Sequence, residues 1–344
     1  MKYKLHIMFM QIIRHIIAGL GGVLLSRKNF ENIIAQRDLA VSELAIVENG
    51  KLKPGLVGVV FSKNRALQLY SLLVSYYVFA SNRVQLTVIY ATSTKEHSQS
   101  YDDVKIMVKK LNLDVKFVEE REGFRNSLLK TLDDICVKNI FFLVDDIVFI
   151  RKVDLDFASK IDASRYVLSL RHSPHLTKSY TANKKQLPPM LSEFKDQPGV
   201  YEFSWFEKGY EWSDPWSVDG QILSTSEVKI ITKVSNFMAP NSYESSLKSF
   251  NSFCVHRRGL CYSESKILNL PINRVQNECD NLSGSVSTEY LLDQWKRGMM
   301  LDTDSLSTHV PISPHEEHQI KLKKRLPETS LLGQKSIKKK GVSQ

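Results

Sequence analysis

Two adjacent carboxylates, Asp145 and Asp146, lie inside the apolar stretch 141–150, FFLVDDIVFI. Near-continuous aromatic and β-branched side chains are typical of a strand that is buried on both faces, where unpaired charges are very costly. We therefore expect both acids at a strand end that opens into a cleft, where a cation or a hydrogen-bonding ligand compensates their charge. Hard carboxylate oxygens suit magnesium or manganese, which take one or two protein carboxylates and complete their shell with water and substrate phosphates. The alternative is a solvated Asp-Asp turn between two strands.

A polar turn, FSKNRA, follows an earlier apolar strand at residues 55–61. Ser62 and Asn64 at the start of the next helix could hydrogen-bond a nucleotide, and Arg65 could reach a phosphate. The turn contains no glycine and the chain contains no G-x-x-x-x-G-K-S/T motif, which argues against dinucleotide, S-adenosylmethionine and P-loop sites. The alternative is that Asn64 only caps the helix and Arg65 is solvated.

Tryptophans and acids are interleaved further along the chain, as Trp205, Trp212 and Trp216 with Asp214 and Asp219. Aromatic faces stack on the apolar faces of sugar rings, while carboxylates accept their hydroxyl hydrogens. The pattern predicts a wall that binds an acceptor sugar, with Asp219 as the first and Asp214 as the second candidate for the general base of an inverting transfer. The alternative is the Trp-rich core of an antiparallel segment.

Four further residues are candidates for the same chemistry. Arg171 and His172 end a predicted strand and could bind a phosphate or a sugar of the acceptor. Arg274, in the stretch INRVQ, could stabilise a leaving diphosphate, or could form a surface salt bridge. His256 is a candidate third metal ligand, although a single histidine is more often structural or exposed.

The elements that must position these residues follow a regular alternation. Amphipathic helices separate apolar strands that are predicted near residues 55–61, 85–90, 114–118 and 141–150. This alternation predicts an α/β fold with a mostly parallel, Rossmann-like sheet that is covered on both faces. Ligands of such sheets bind beyond the carboxyl ends of the strands, where the turns after Phe61, Tyr90 and Val144 would meet.

These motifs together resemble a known family. A strand that ends in FSKNRA, an amphipathic helix, a second β-α-β step and an Asp-Asp pair about 80 residues later resemble the nucleotide-sugar-binding half of GT-A glycosyltransferases of the family-two type. The resemblance covers residues 55–150 and extends more loosely to about residue 300. It implies a three-layer sandwich, a nucleotide sugar as donor, and a divalent cation, manganese or magnesium, on a D-x-D motif.

The resemblance places the nucleobase and ribose at the FSKNRA turn and the metal at Asp145 and Asp146. The chain departs from the family pattern at two places. Ile147 stands where strict D-x-D spacing has its second carboxylate, and Ala91-Thr92-Ser93 stand where many members carry acids that hold the nucleoside.

The predicted organisation has three parts. Residues 1–54 form an apolar and amphipathic helical segment, residues 55–310 a GT-A-like catalytic domain, and residues 311–344 a basic tail that is expected to be disordered. The catalytic domain divides into a donor half, 55–150, and an acceptor half, 151–310. We expect a metal-dependent glycosyltransferase that moves a sugar from a nucleotide-diphosphate donor to a hydroxyl of a glycan or lipid-linked acceptor, in cell-surface polysaccharide or glycolipid synthesis. The alternatives are a metal-dependent nucleotidyltransferase and a non-catalytic glycan-binding protein.

The charge distribution bears on partners and location. The formal net charge is +10, but residues 319–344 hold eight Lys and Arg against one acid, and residues 1–55 hold eight against four. Positive charge at the ends of a neutral body argues against a nucleic-acid partner and suits an anionic membrane surface. Arg14 and His15 interrupt the apolar run at 5–25, which argues against a membrane span. Four cysteines without a C-x-x-C pair suit a reducing cytosol, so we expect a cytoplasmic chain that associates peripherally with the membrane.

Overall fold

The computed structural model describes residues 26–273, 275 and 284–325. The apolar run at 5–25, Arg274 and the part of the basic tail beyond residue 325 lie outside the described residues. Among the described helices, none combines the length and the apolar character that crossing a bilayer requires.

The described part of the chain contains eight α-helices and seventeen strands. The helices are α1 (Arg27–Asn49), α2 (Ala66–Phe79), α3 (Lys95–Lys110), α4 (Phe124–Asp133), α5 (Leu155–Lys160), α6 (Thr225–Val234), α7 (Pro240–Lys248) and α8 (Thr288–Lys296). The strands are β1 (Lys53–Lys63), β2 (Ala80–Ser81), β3 (Leu86–Ala91), β4 (Val115–Glu119), β5 (Val137–Val144), β6 (Ile147–Phe149), β7 (Val153–Asp154), β8 (Tyr166–Ser169), β9 (Lys178–Ser179), β10 (Lys184–Lys185), β11 (Ser192–Glu193), β12 (Val200–Ser204), β13 (Gln221–Ser224), β14 (Arg258–Tyr262), β15 (Ile267–Asn269), β16 (Met299–Leu301) and β17 (Leu322–Lys324).

The largest sheet among the described residues has nine strands in the order β11-β12-β14-β8-β13-β5-β1-β3-β4. Strands β5, β1, β3 and β4 are parallel neighbours, which confirms the predicted alternation of strands and helices in the first half. Strand β13 pairs antiparallel with both β5 and β8, so the second half of the chain continues the same sheet with mixed direction. In the parallel part, Phe61 is level with Val144 and Ser62 is level with Tyr90, so the carboxyl ends of β1, β3 and β5 form one edge.

Helices cover both faces of the parallel strands, as the sequence predicts for a three-layer sandwich. On one face, Val60 and Leu143 belong to a buried cluster with the side chains of α2. On the other face, Phe61 stacks on Phe142, and Phe124 from α4 contacts Phe61 edge to face. Two buried faces explain why this strand sequence is apolar at nearly every position.

The chain divides into two compact units within α1, between Leu44 and Ala45. In the second unit, the described residues continue as ordered structure past the predicted start of the tail at residue 311. Strand β17 pairs antiparallel with β16, and His315 forms a β-bridge with Asn269. The predicted boundary at residue 311 therefore does not coincide with an end of the folded structure.

Candidate active site

A cavity of about 670 Å³ opens at the edge of the sheet where β1 and β5 end. Residues from both halves of the predicted catalytic domain line it. Its acidic lining residues include Asp145, Asp146, Glu211, Asp214, Asp219 and Glu244. Its basic lining residues include Lys63, Arg65, Arg171 and Lys248, together with His315. The cavity therefore lies where ligands of parallel α/β sheets bind.

Asp145 follows directly after β5 and is buried, with 3% of its surface exposed. Its Oδ2 accepts hydrogen bonds from Ser62 Oγ at 2.8 Å and from the backbone N–H of Lys63 at 3.2 Å. Its Oδ1 accepts from Arg65 Nη1 at 2.8 Å. The register of β1 against β5 brings these groups together, so the turn FSKNR and the Asp-Asp pair form one cluster.

Asp146 differs from its neighbour in having an unused oxygen. Its Oδ2 accepts from Arg65 Nη1 at 3.2 Å, whereas its Oδ1 is buried and has no hydrogen-bond partner among the described residues. Burial, with the nearby charges of Asp145 and Asp219, raises the pKa of Asp146 to about 6, although Arg65 acts in the opposite direction. Asp146 Oδ1 is thus the open acceptor of the cluster.

Arg65 supplies the positive charge that compensates the two buried acids, Asp145 and Asp146. Burial opposes its charge, but Asp145 and Asp146 hold the pKa of its guanidinium above the usual value. Its Nη2 donates to the backbone carbonyl of Asn273, and its backbone N–H donates to Tyr101 Oη at 3.1 Å. Arg65 is therefore held on three sides rather than solvated.

Asn64 has a different position from the one predicted for a nucleotide ligand. Its Oδ1 accepts from the backbone N–H of Ser93 at 2.8 Å, and its Nδ2 donates to Ser93 Oγ at 2.7 Å. It is absent from the described lining of the cavity, whereas Ser62 and Arg65 belong to it. Asn64 therefore joins the turns that follow β1 and β3.

A second cluster surrounds Asp219, the first candidate base. His315 Nε2 lies 3.0 Å and Arg171 Nη1 3.5 Å from Asp219 Oδ2. Burial favours the neutral carboxyl, but the hydrogen bond and charge of His315 and the charge of Arg171 hold the pKa of Asp219 below its usual range. Sequence reasoning missed His315 because its partner lies almost one hundred residues earlier in the chain and no local pattern joins them.

Asp214, the second candidate, is tied to two cations. Arg171 Nη2 lies 3.2 Å and Lys248 Nζ 3.1 Å from its Oδ2. Glu211 and Glu244, which the sequence did not single out, complete this network at 3.5 Å from Arg171 and 3.4 Å from Lys248. Burial, then the charge of Asp214, raises the pKa of Glu244. Asp214 is thus held by two cations within this network.

The structure corrects the predicted acceptor wall. Trp205, Trp212 and Trp216 are buried, at 4%, 0% and 0% exposed, and none belongs to the described lining of the cavity. His172 is buried with them, its ring bonded to Ser169 Oγ and to the carbonyl of Glu211, and burial with the charge of Arg171 lowers the pKa of His172 to about 3. These side chains form part of the core. The prediction was wrong because apolar and aromatic composition alone does not distinguish a core from a sugar-binding face. Of the predicted acceptor residues, Arg171 alone lines the described cavity, where Tyr180 and Tyr210 supply aromatic rings.

The side chains that the sequence predicts as ligands of a cation can be compared with their positions in the structure. His256 is exposed and lies outside the described cavity lining, and Ile147 is fully buried, so neither would be a ligand. The oxygens of Asp145 are taken by Ser62, Lys63 and Arg65. Asp146 Oδ1 is a hard, buried and unpartnered oxygen of a residue that lines the cavity. Magnesium and manganese sites often use one protein carboxylate together with substrate phosphates and water, so the residues present fit such an ion at Asp146.

Comparisons with known proteins found similar solved structures only. No family model and no curated protein matches the chain. S. aureus TarS 1–349 in complex with UDP-GlcNAc is 16% identical, with a TM-score of 0.39 over 62% of this chain and 57% of that chain. A mannosyltransferase from Pyrobaculum calidifontis in complex with GDP-Man and Mn²⁺ is 14% identical, with a TM-score of 0.26 over 40% of this chain and 46% of that chain. A UDP-glucose pyrophosphorylase complexed with UDP-glucose is 11% identical, with a TM-score of 0.32 over 62% of this chain and 92% of that chain.

The matched region spans less than two-thirds of the TarS fragment. These TM-scores lie well below 0.5, so the similarities carry no argument about function.

Proposed function

We propose that the protein is a glycosyltransferase that moves a sugar from a nucleotide-diphosphate donor to a hydroxyl acceptor. The observation that carries this proposal is one cavity lined by two charge clusters. One cluster is Arg65 with Asp145 and Asp146, at the strand ends, and the other is Asp219 with His315 and Arg171. A transfer of this type needs a place for an anionic leaving group and a base for the acceptor, and the two clusters suit these tasks.

The first cluster suits the donor. A volume of about 670 Å³ is in the range of small-molecule sites, and apolar lining from Ile89, Phe124 and Met238 suits a planar base. Lys63 and Arg65, which also line the cavity, suit the diphosphate. Asp146 would hold manganese or magnesium through Oδ1. When bound, this ion supplies Lewis-acid stabilisation of the charge on the departing diphosphate.

The second cluster suits the acceptor. Asp219 would take the proton of the acceptor hydroxyl as the hydroxyl oxygen bonds to the anomeric carbon and the bond from that carbon to the diphosphate breaks. His315 and Arg171 hold the Asp219 carboxylate from two sides, which fixes the direction in which it accepts the proton. This assignment applies to a transfer that inverts the configuration of the sugar.

The acceptor that we propose is a glycan or a lipid-linked sugar, in the synthesis of cell-surface polysaccharide or glycolipid. The support is the basic sequence at both ends of the chain, which suits the anionic cytoplasmic face of a membrane. Co-sedimentation with vesicles that contain anionic lipid, compared with neutral vesicles, tests this location.

The activity is tested with a panel of nucleotide sugars, with and without manganese, by measuring nucleotide release and thermal stability. We expect one donor to raise the unfolding midpoint and to be turned over. Asp219→Asn should lower turnover by about 10²–10⁴-fold, because it removes the general base, while the donor still raises the midpoint.

Two outcomes would overturn the proposal. Release of pyrophosphate from a nucleoside triphosphate and a sugar phosphate would identify a nucleotidyltransferase. Binding of glycans with no turnover of any donor would identify a glycan-binding protein.

A further inference from the structure

A histidine–carboxylate cluster lies outside the cavity, on the segment that follows the short helical turn at Asp304–Ser307. His309 Nε2 is 2.5 Å and His318 Nε2 is 3.1 Å from the same oxygen, Glu316 Oε2. The three potential ligand atoms all lie within 4.8 Å of one another. The Nε2 atoms of the two histidines thus both point towards Glu316 Oε2.

The carboxylate of this cluster is held in place by the backbone. Glu316 Oε1 accepts from the N–H groups of Ile312 at 2.7 Å and Ser313 at 3.2 Å, so Oε2 is the oxygen that faces the two histidines. Hydrogen bonds of this kind orient metal ligands, because they fix which oxygen is free. The geometry therefore does not depend on three independent surface side chains.

The backbone around the cluster is also tied to the core. Arg151 donates to the carbonyl of His309 at 2.7 Å and to that of Leu306 at 3.1 Å. The N–H of Glu316 donates to the carbonyl of Asn269, in β15, at 3.1 Å. Two of the three side chains therefore start from backbone positions that neighbouring elements fix.

We propose that His309, Glu316 and His318 form a binding site for a divalent transition-metal ion of the zinc class. Two imidazoles and one carboxylate suit zinc and its neighbours better than magnesium or calcium, which prefer oxygen ligands alone. Zinc lies about 2.0–2.1 Å from nitrogen and oxygen ligands, so tetrahedral ligand atoms are about 3.3 Å apart. The two imidazole nitrogens lie 2.5 and 3.1 Å from the carboxylate oxygen, and all three ligand atoms lie within 4.8 Å of one another, so side-chain rotations would be needed to bring them to this value.

The position of the site indicates its role. His315, which holds Asp219 in the cavity, is the residue directly before Glu316. Ligands at 309, 316 and 318 would fix the segment on both sides of His315, so the ion would act as a structural clasp. The proposed metal site is independent of the proposed transferase activity. Metal binding is measured on the protein alone, without a sugar donor or an acceptor.

The test uses untagged full-length protein, stripped with a chelator and titrated with Zn²⁺ in a calorimeter and with Co²⁺ in a spectrophotometer. Asp146→Asn is present in every sample, so that the cavity does not contribute a cation site. We expect about one equivalent to bind, a visible Co²⁺ absorption typical of nitrogen and oxygen ligands in low coordination, and a higher unfolding midpoint with Zn²⁺.

The double variant His309→Ala/His318→Ala should lose at least about tenfold in zinc affinity and the Co²⁺ absorption, because two ligands are removed. His175→Ala, which removes an exposed histidine elsewhere, should bind as the parent does. If the double variant does not fold, Glu316→Gln replaces it, since its amide oxygen still accepts the two backbone N–H groups. Absence of binding in the parent, or equal affinity in parent and ligand variants, would overturn the proposal.

Discussion

At the scale of single residues, the main feature is that Arg65 serves two buried acids at once. Its Nη1 lies 2.8 Å from Asp145 and 3.2 Å from Asp146, and all three side chains are at most 11% exposed. Such a triad is costly to bury, and it is stable only as long as every member is present. Arg65 therefore contributes to the folded state as well as to the proposed donor site.

Arg65→Met should lower the free energy of unfolding by about 3–5 kcal/mol, because it leaves two buried carboxylates without their cation. The measurement is urea unfolding followed by circular dichroism. The double variant Arg65→Met/Asp145→Asn should recover part of this loss, since one of the two charges is then absent. A double variant that is no more stable than Arg65→Met would contradict this account of the triad.

At the scale of elements, the parallel strands position the site through their register and their close packing. Gly58 lies at the centre of β1, between β3 and β5. A Cβ atom built on it would lie 2.4 Å from Leu86 Cδ2 and 2.6 Å from Phe141 Cζ. Both neighbours are fully buried, so they have little space to move.

Gly58→Ala should lower the free energy of unfolding by about 1–3 kcal/mol, because one added methyl group overpacks this layer. Gly209→Ala is the matched control, since its added Cβ meets no atom within 4 Å and should change stability little. Chemical denaturation of both variants gives the comparison. Equal stability of the two variants would show that the strands adjust more freely than their packing indicates.

Elements with a strong local pattern could be predicted from the sequence. The alternation of apolar strands and helices, and the convergence of the turn after Phe61 with the turn after Val144, follow from periodicity and from the geometry of parallel sheets. Trp212 and Trp216 could not be assigned, because a tryptophan that packs in a core and one that stacks on a sugar have the same local sequence. His315 and Lys248 could not be found, because contacts between distant residues leave no local pattern.

At the scale of the whole molecule, burial divides the three described cysteines into two classes. Cys254 and Cys261 are fully buried, whereas Cys136 is exposed. Burial raises the pKa of Cys254 to about 12, and it also raises that of Cys261. The thiolate is the reactive form, so both buried residues should be inert in the native protein.

In a Cys279→Ser background, which removes the cysteine outside the described residues, native protein should react with about one equivalent of a thiol reagent such as DTNB. Denaturant should release the other two thiols. Cys136→Ser in the same background should remove the native reaction. Rapid native labelling of Cys254 or Cys261 would show that the region around β14 opens readily.

The contact between His315 and Asp219 has a consequence for how the protein is made. The segments that carry Asp145 and Asp219 leave the ribosome long before residue 315 does, so during synthesis the proposed base is for a time without the imidazole that orients it. Under the proposed function, a nascent chain would bind the nucleotide through its earlier half during that interval, but it would transfer sugar efficiently only after the segment around residue 315 has emerged and docked.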